Sequence, residues 1–155
     1  MNVELDAKEI LRNRVLDMTN NLFSTYGIKT ITMDEIASSV GISKRTLYEL
    51  FTDKADLLYA SVSRNQEMMR EYVDGVLAST DNVLEVIMNC YKYTIKNYHN
   101  VNPRFFEDIK KYPLAFHLFT KGQKEDSKKS VDFFNKGVEQ GLFRTDVNFE
   151  VLNLL

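Results

Sequence analysis

Between Ser43 and Phe51 the chain groups Lys44, Arg45, Thr46, Tyr48 and Glu49 around Leu47, Leu50 and Phe51. At about 100° per residue the three apolar side chains fall on one side of a helix. Arg45 and Glu49 lie opposite them, Tyr48 on a flank and Lys44 near the N-terminal edge. A face so short, polar and compact suits a DNA major groove. Arg45 can offer its guanidinium to O6 and N7 of guanine, and Glu49 can accept from the N4 amine of cytosine. Lys44, Thr46 and Tyr48 are placed to hold phosphates, which fixes register without reading sequence. Thr32 opens the preceding helix, and helix N-termini favour phosphate. Lys54 sits in the first turn of a later helix, where a cation opposes the macrodipole by a few tenths of a kcal/mol (about 0.3). A phosphate between the two reverses that sign. A solvated amphipathic face is the plainer reading of all these residues, since helix-turn-helix geometry also occurs in proteins that never touch DNA.

Other chemistry is thinly represented. Cys90 with His99 or His117 is the one conceivable nucleophilic set. Cys90, however, falls on an apolar stripe, where a thiol behaves as a small hydrophobe with a raised pKa. The two histidines lack the further partner that a metal site needs, so no metal and no cofactor are expected. No glycine-rich phosphate loop, nucleophile elbow or well-set carboxylate pair is present. Met68, Met69, Tyr72, Tyr91, Tyr93, Phe105, Phe106, Phe116 and Phe119 supply enough aromatic and thioether surface to line a pocket between helices. Ordinary core packing uses the same residues.

The chain has 155 residues, 44% hydrophobic and 27% charged, a composition that suggests neither disorder nor a membrane protein. No apolar run approaches the roughly 18 residues that span a bilayer. The first residues, with Glu4 and Asp6, do not read as a signal peptide. A single cysteine agrees with a reducing compartment, so cytoplasmic residence is expected. The net charge of −2 is not that of a basic nucleic-acid binder. Residues 1–55 are no better: Lys8, Arg12, Arg14, Lys29, Lys44, Arg45 and Lys54 face Glu4, Asp6, Glu9, Asp17, Asp34, Glu35, Glu49 and Asp53. Any DNA contact must come from locally clustered charge.

These residues need helices to position them. Apolar side chains recur at helical spacing almost throughout, with two prolines and six glycines, which predicts an all-α protein. The first helix is predicted from Ala7 to Tyr26, with Leu11, Val15, Met18, Leu22 and Tyr26 as its inner stripe and Gly27 as its stop. Thr32 to Glu35 fits a capping box opening a short second helix with Met33, Ile36, Ala37 and Val40 inward. Gly41 permits the turn, Ile42 plugs the angle, and Ser43 caps a third helix to Phe51. A fourth helix from Lys54 to about Leu77 carries Leu58, Val62, Met69, Tyr72, Val73 and Val76 inward. A fifth, Asn82 to Tyr98, repeats Val83, Ile87, Cys90, Tyr91, Thr94 and Tyr98. A sixth runs from Pro103 to about Lys111. Pro113 opens a seventh, ending near Gln140 and polar enough to break within Lys121 to Ser130. An eighth begins near Asn148.

The stretch Ile31 to Leu58, ITMDEIASSVGISKRTLYELFTDKADLL, resembles the signature of the TetR-type family of bacterial transcriptional regulators. The shared features are a Thr-opened helix, Ala-Ser-x-x-Gly-Ile-Ser, then Thr-Leu-Tyr, Phe and Asp-Lys before a long apolar helix. Asn21, Leu22, Phe23 and Gly27 extend the similarity into the first helix, whereas the rest resembles the family only in helix order. The resemblance implies a three-helix headpiece with a helix-turn-helix over residues 1–53 and a helical effector-binding and dimerisation domain over 54–155. It places Thr32, Lys44, Thr46, Tyr48 and Lys54 at backbone-contact positions and Arg45 and Glu49 at base-facing ones. Arg45 departs from the small residue often found there, which bears on the operator sequence.

The function implied is that of a repressor released from double-stranded operator DNA by a small-molecule effector held among Tyr72, Tyr91, Phe106 and Phe116. Two headpieces must reach successive major grooves about 34 Å apart to read a palindrome, so a homodimer is expected. The family pairs through its last two long helices, and the apolar Val151, Leu152, Leu154 and Leu155 stop in mid-pattern. About forty further residues are expected beyond Leu155, from the usual helix lengths. A helical interaction module without a DNA role, and an enzyme built on Cys90 and a histidine, are the alternatives.

Overall fold

The computed structural model describes residues 3–125 and 127–146. Among them the elements are all helices: α1 (Val3–Tyr26), α2 (Met33–Val40), α3 (Lys44–Leu50), α4 (Lys54–Ser79), α5 (Val83–Tyr98), α6 (Pro103–Ile109), α7 (Pro113–Glu125) and α8 (Ser127–Glu139). The expected long seventh helix is thus described as α7 and α8 on either side of position 126. The helix expected near Asn148 and the apolar end at Val151, Leu152, Leu154 and Leu155 lie outside the described residues.

Two compact units divide the chain: Met1–Asn65 with Asn100–Leu118, and Gln66–His99 with Phe119–Leu155. These units do not coincide with a boundary at 53/54, because α6 and the start of α7 return to the unit that holds α1 to α3.

In the first unit Val15, Leu16, Thr19 and Phe23 of α1 are buried, with Ile28, Ile31, Ile36, Ala37, Val40, Leu47, Phe51, Leu57 and Leu58. The inner stripe of α1 is therefore rotated from the expected one, and Tyr26 is exposed. Apolar residues occur on both sides of this helix, so periodicity alone could not centre its stripe. Fully burying a side chain such as Phe23 or Leu47 contributes about 1.5–3 kcal/mol.

Local chemistry sets the helix ends. Thr32 accepts from the Glu35 amide while the Glu35 carboxylate answers the Thr32 amide, the expected capping box. Gly41 follows α2 in the left-handed region, φ 77°, which a residue with a Cβ rarely adopts. The Ser43 hydroxyl caps α3 through the Thr46 amide, an arrangement typically worth about 1 kcal/mol.

In the second unit α5 packs on α8. Asn82 caps α5, and the Val83 amide donates to Gln140 Oε1 at 3.0 Å. Lys136 pairs with Asp81 at 2.6 Å. Val83 and Val86 are the buried residues of α5, Ile87 and Cys90 are half-buried, and Tyr91, Thr94 and Tyr98 are exposed. The stripe read from spacing is again displaced, because α5 has a second apolar edge, Leu84, Met88, Tyr91 and Ile95, that competes with the buried one.

Candidate nucleic-acid interface

The candidate recognition surface is built on α3. Leu47 is fully buried, and Phe51, which ends the helix, is 1% exposed. Leu50 is only half-buried. Lys44, Arg45, Tyr48 and Glu49 are exposed, and Thr46 is half-buried. The division into a buried and a polar side follows the sequence expectation.

Two arginines hold the frame from α1. Arg12 donates to the Leu50 carbonyl at 3.1 Å and lies 4.3 Å over the Phe51 ring, closing the C-terminal end of α3. Arg14 donates to the Val40 carbonyl at 3.3 Å, doing the same for α2. Helix C-termini leave carbonyls without intrahelical partners and carry partial negative charge, so a guanidinium is favourable at each. Sequence reasoning counted both residues only as charges. Their signal, one turn ahead of the first core residues, has no local mark of a capping role.

The cations on the surface are largely answered within the unit. Arg45 Nε lies 3.0 Å from Glu49 Oε1, one turn further along α3. Lys44 Nζ lies 2.8 Å from Asp34 Oδ1, a bridge from α3 to the first turn of α2, and Asp34 holds the Lys44 ammonium above its ordinary pKa. Asp34 was not among the expected site residues.

Thr32 and Lys54 occupy a more crowded corner. The Thr32 hydroxyl donates to Glu35 Oε2 at 2.8 Å, and the same oxygen takes the Thr32 amide at 2.6 Å. Those two bonds, the backbone one foremost, hold the Glu35 carboxyl below its ordinary value. The positive end of α2 thus already faces a carboxylate. Lys54 donates its ammonium to the Ile31 carbonyl and lies 5.7 Å from the Phe23 ring centroid. Burial pushes its pKa down, against the opposing pull of Asp108 and then Glu35. A cleft of about 360 Å³ opens on the α1 and α2 side, lined by Arg14, Asp17, Met18, Asn21, Ser39 and Val40.

The four aromatic residues expected around an effector divide between the units: Tyr72 and Tyr91 in the second, Phe106 and Phe116 in the first. Tyr72 stacks on Tyr93 with centroids 4.2 Å apart and donates to the Asn89 carbonyl. Tyr91 and Phe106 are exposed, and Phe116 is half-buried. Cys90 is half-buried, and burial pushes its thiol pKa up, away from a nucleophile's range. Among the described residues no group of three potential ligands is gathered for a metal, and no helix is long and apolar enough to cross a membrane.

Residues 15–60 match the family model of bacterial regulatory proteins, tetR family. The chain is 24% identical over 153 residues to the HTH-type transcriptional repressor KstR2 of Mycobacterium tuberculosis, with 91% of this chain and 73% of that protein covered. An HTH-type transcriptional regulator of Staphylococcus aureus is 40% identical over 63 residues, covering 41% of this chain and 34% of that one. Among solved structures, a transcriptional regulator of Saccharomonospora viridis in complex with choline superposes with a TM-score of 0.77 at 19% identity, covering 92% of this chain and 77% of that one. The KstR2 structure gives 0.68 at 22% identity, covering 92% and 76%. The relatives are regulators, not enzymes. With a helix-turn-helix whose caps, buried Leu47 and exposed polar face are all in place, residues 15–60 carry the DNA-binding region characteristic of bacterial regulatory proteins of the tetR family.

Proposed function

We propose that this regulator is a cytoplasmic repressor that holds a palindromic operator as a homodimer and releases it when a small-molecule effector binds. The observation that carries the DNA part is the exposed Arg45, Tyr48 and Glu49 face of α3, set against a fully buried Leu47. Arg45 and Glu49 read bases, while Thr32, Lys44, Thr46, Tyr48 and Lys54 hold phosphates. Residues 1–53 act as the headpiece and residues 54–155 as the effector and dimerisation domain. The relatives support a small organic effector: KstR2 is a ketosteroid transcriptional regulator, one neighbour holds choline, and another is a gamma-butyrolactone receptor. Tyr72, Tyr91, Phe106 and Phe116 are the side chains assigned to it.

An effector acts only through differential affinity for the DNA-bound and free arrangements, and the coupling is reciprocal. Sequencing genomic fragments retained by the purified protein tests the reading. Enrichment of one inverted repeat, with half-sites about one helical turn apart, is the expected result. Retention without any sequence preference overturns it.

A further inference from the structure

Asp108, on α6, is a buried carboxylate outside the recognition surface, 79 positions in sequence from the group it serves. Its Oδ2 accepts the Lys29 amide at 2.8 Å, and its Oδ1 lies 3.6 Å from Lys111 Nζ. Lys29 stands in the corner between α1 and α2, beside the buried Ile28 and Ile31. Lys29 itself is exposed, but this bond is part-buried, and an amide in such a place costs free energy if it is left unanswered. Asp108 is the group that answers it.

The residue that caps α6 closes the end of α1. The Asn102 amide donates to the Ser24 carbonyl at 2.7 Å, and its side-chain amide donates to the Thr25 carbonyl at 3.1 Å. These are carbonyls of the last turn of α1, which have no partner within the helix. Asn102 meanwhile caps α6 through the Arg104 amide at 3.0 Å. Gly27 lets the two segments meet. It sits at φ +87°, and a Cβ there would stand 3.1 Å from Arg104 Cβ and 3.4 Å from Asp108 Oδ2. Glycine is needed at this corner both for its backbone and for the approach of α6.

The corner leads straight into the reading apparatus. Three residues beyond Lys29 comes Thr32, which caps α2. Lys54 reaches the Ile31 carbonyl from the first turn of α4 and feels the Asp108 charge.

We infer that Asp108 is a positioning residue for DNA binding: from α6 it fixes the Gly27–Lys29 corner, and so the point from which α2 and the recognition helix α3 are set. It contacts no DNA itself. The inference rests on the DNA-binding reading and adds a residue, far from the helix-turn-helix in sequence, on which that binding depends.

The test uses the full chain and the operator recovered by genomic selection. Asp108→Ala removes the acceptor. It is expected to weaken operator binding several-fold, up to about tenfold, the scale for a lost hydrogen bond at a partly buried amide, and to speed hydrogen exchange at the Lys29 amide. The salt slope should not change, because no phosphate contact is lost. Asp108→Asn keeps an acceptor at the same reach and is expected to restore affinity to within about threefold. Asp108→Glu keeps the charge but displaces the oxygens. It serves where the alanine variant does not fold, with an expected few-fold loss and faster Lys29 exchange. Alanine binding as tightly as wild type overturns the inference. So does asparagine failing as badly as alanine, or a loss that tracks the unfolded fraction alone. A wild-type chain that retains no DNA fragment would instead refute the reading beneath it.

Discussion

Arg45 and Glu49 face each other across one turn of α3, with Nε 3.0 Å from Oε1, and both side chains are largely exposed. The two groups best suited to reading bases therefore meet each other before they meet DNA. An exposed pair of this kind holds weakly, so it can open, or present itself to adjacent bases as a unit. Arg45→Ala should relax preference at one base position, costing about 1–3 kcal/mol of discrimination. Combined with Glu49→Ala, the loss on the operator should be non-additive, since residues in contact couple. Binding measured across a set of single-base operator variants checks both statements. Uniform weakening on every sequence, with strict additivity, would assign the pair to general affinity.

Asp34 bears on the opposite property, restraint. Its carboxylate neutralises Lys44 at the junction of α2 and α3 and competes there with any phosphate. Asp34→Asn should free that charge, strengthen binding to random DNA several-fold and steepen its salt dependence by about one ion. The operator should gain less, so the ratio of specific to random affinity falls. Titration of operator and random duplexes at several salt concentrations measures it, and an unchanged ratio counts against the role.

How much of this was legible beforehand follows from sequence distance. The Thr32–Glu35 capping box, the Gly41 turn and the Ser43 cap each involve residues within a few positions, so spacing exposed them. Helix α1 was legible as a helix, but its buried side was not: Leu11, Met18 and Leu22 compete with Leu16, Thr19 and Phe23 for the inner position, and packing on α2 decides. Arg12 and Arg14 look like surface charge until the ends of α3 and α2 arrive beneath them. The Asp108 bond to Lys29 joins segments with no shared pattern, so nothing in the string announces it.

Glu35 gives the headpiece a pH dependence of known sign. Its carboxyl is held below the ordinary 4.5 by the Thr32 backbone bond and then the Thr32 hydroxyl. A depressed folded value means the contribution is complete above the ordinary value and is lost as pH falls through the folded one. Glu35→Gln should therefore lower thermal stability near neutral pH, and the difference from wild type should shrink as pH falls to about 3. Melting curves across that range decide it, and a gap that widens toward acid contradicts the cap.

Gly137 makes a prediction for the second unit. A Cβ there would fall 2.3 Å from Phe143 Cε2, 2.4 Å from Cδ2 and 3.2 Å from Val83 Cγ1. Alanine is the better helix former by about 1 kcal/mol, yet displacing the ring should outweigh that and destabilise the protein by about 1–3 kcal/mol. Phe143→Leu in the alanine background should recover part of the loss. Urea unfolding of the wild type and the two variants tests this, and a stabilised Gly137→Ala would mean that the ring swings away at little cost.

Lys54 separates affinity from architecture. Its ammonium donates to the Ile31 carbonyl, which leaves donors for a phosphate on the same charged group. Burial has already lowered its pKa, and as a cation in the first turn of α4 it opposes the helix dipole. The negative charge of an approaching phosphate offsets both effects. Lys54→Ala should therefore weaken all sequences alike and reduce the salt slope by about one ion. Lys54→Met keeps an apolar stem of similar length while removing the charge, and should show the same reduced slope. If both variants lose affinity with the slope intact, Lys54 serves only to brace the Ile31 corner, and the phosphate contact belongs to another residue.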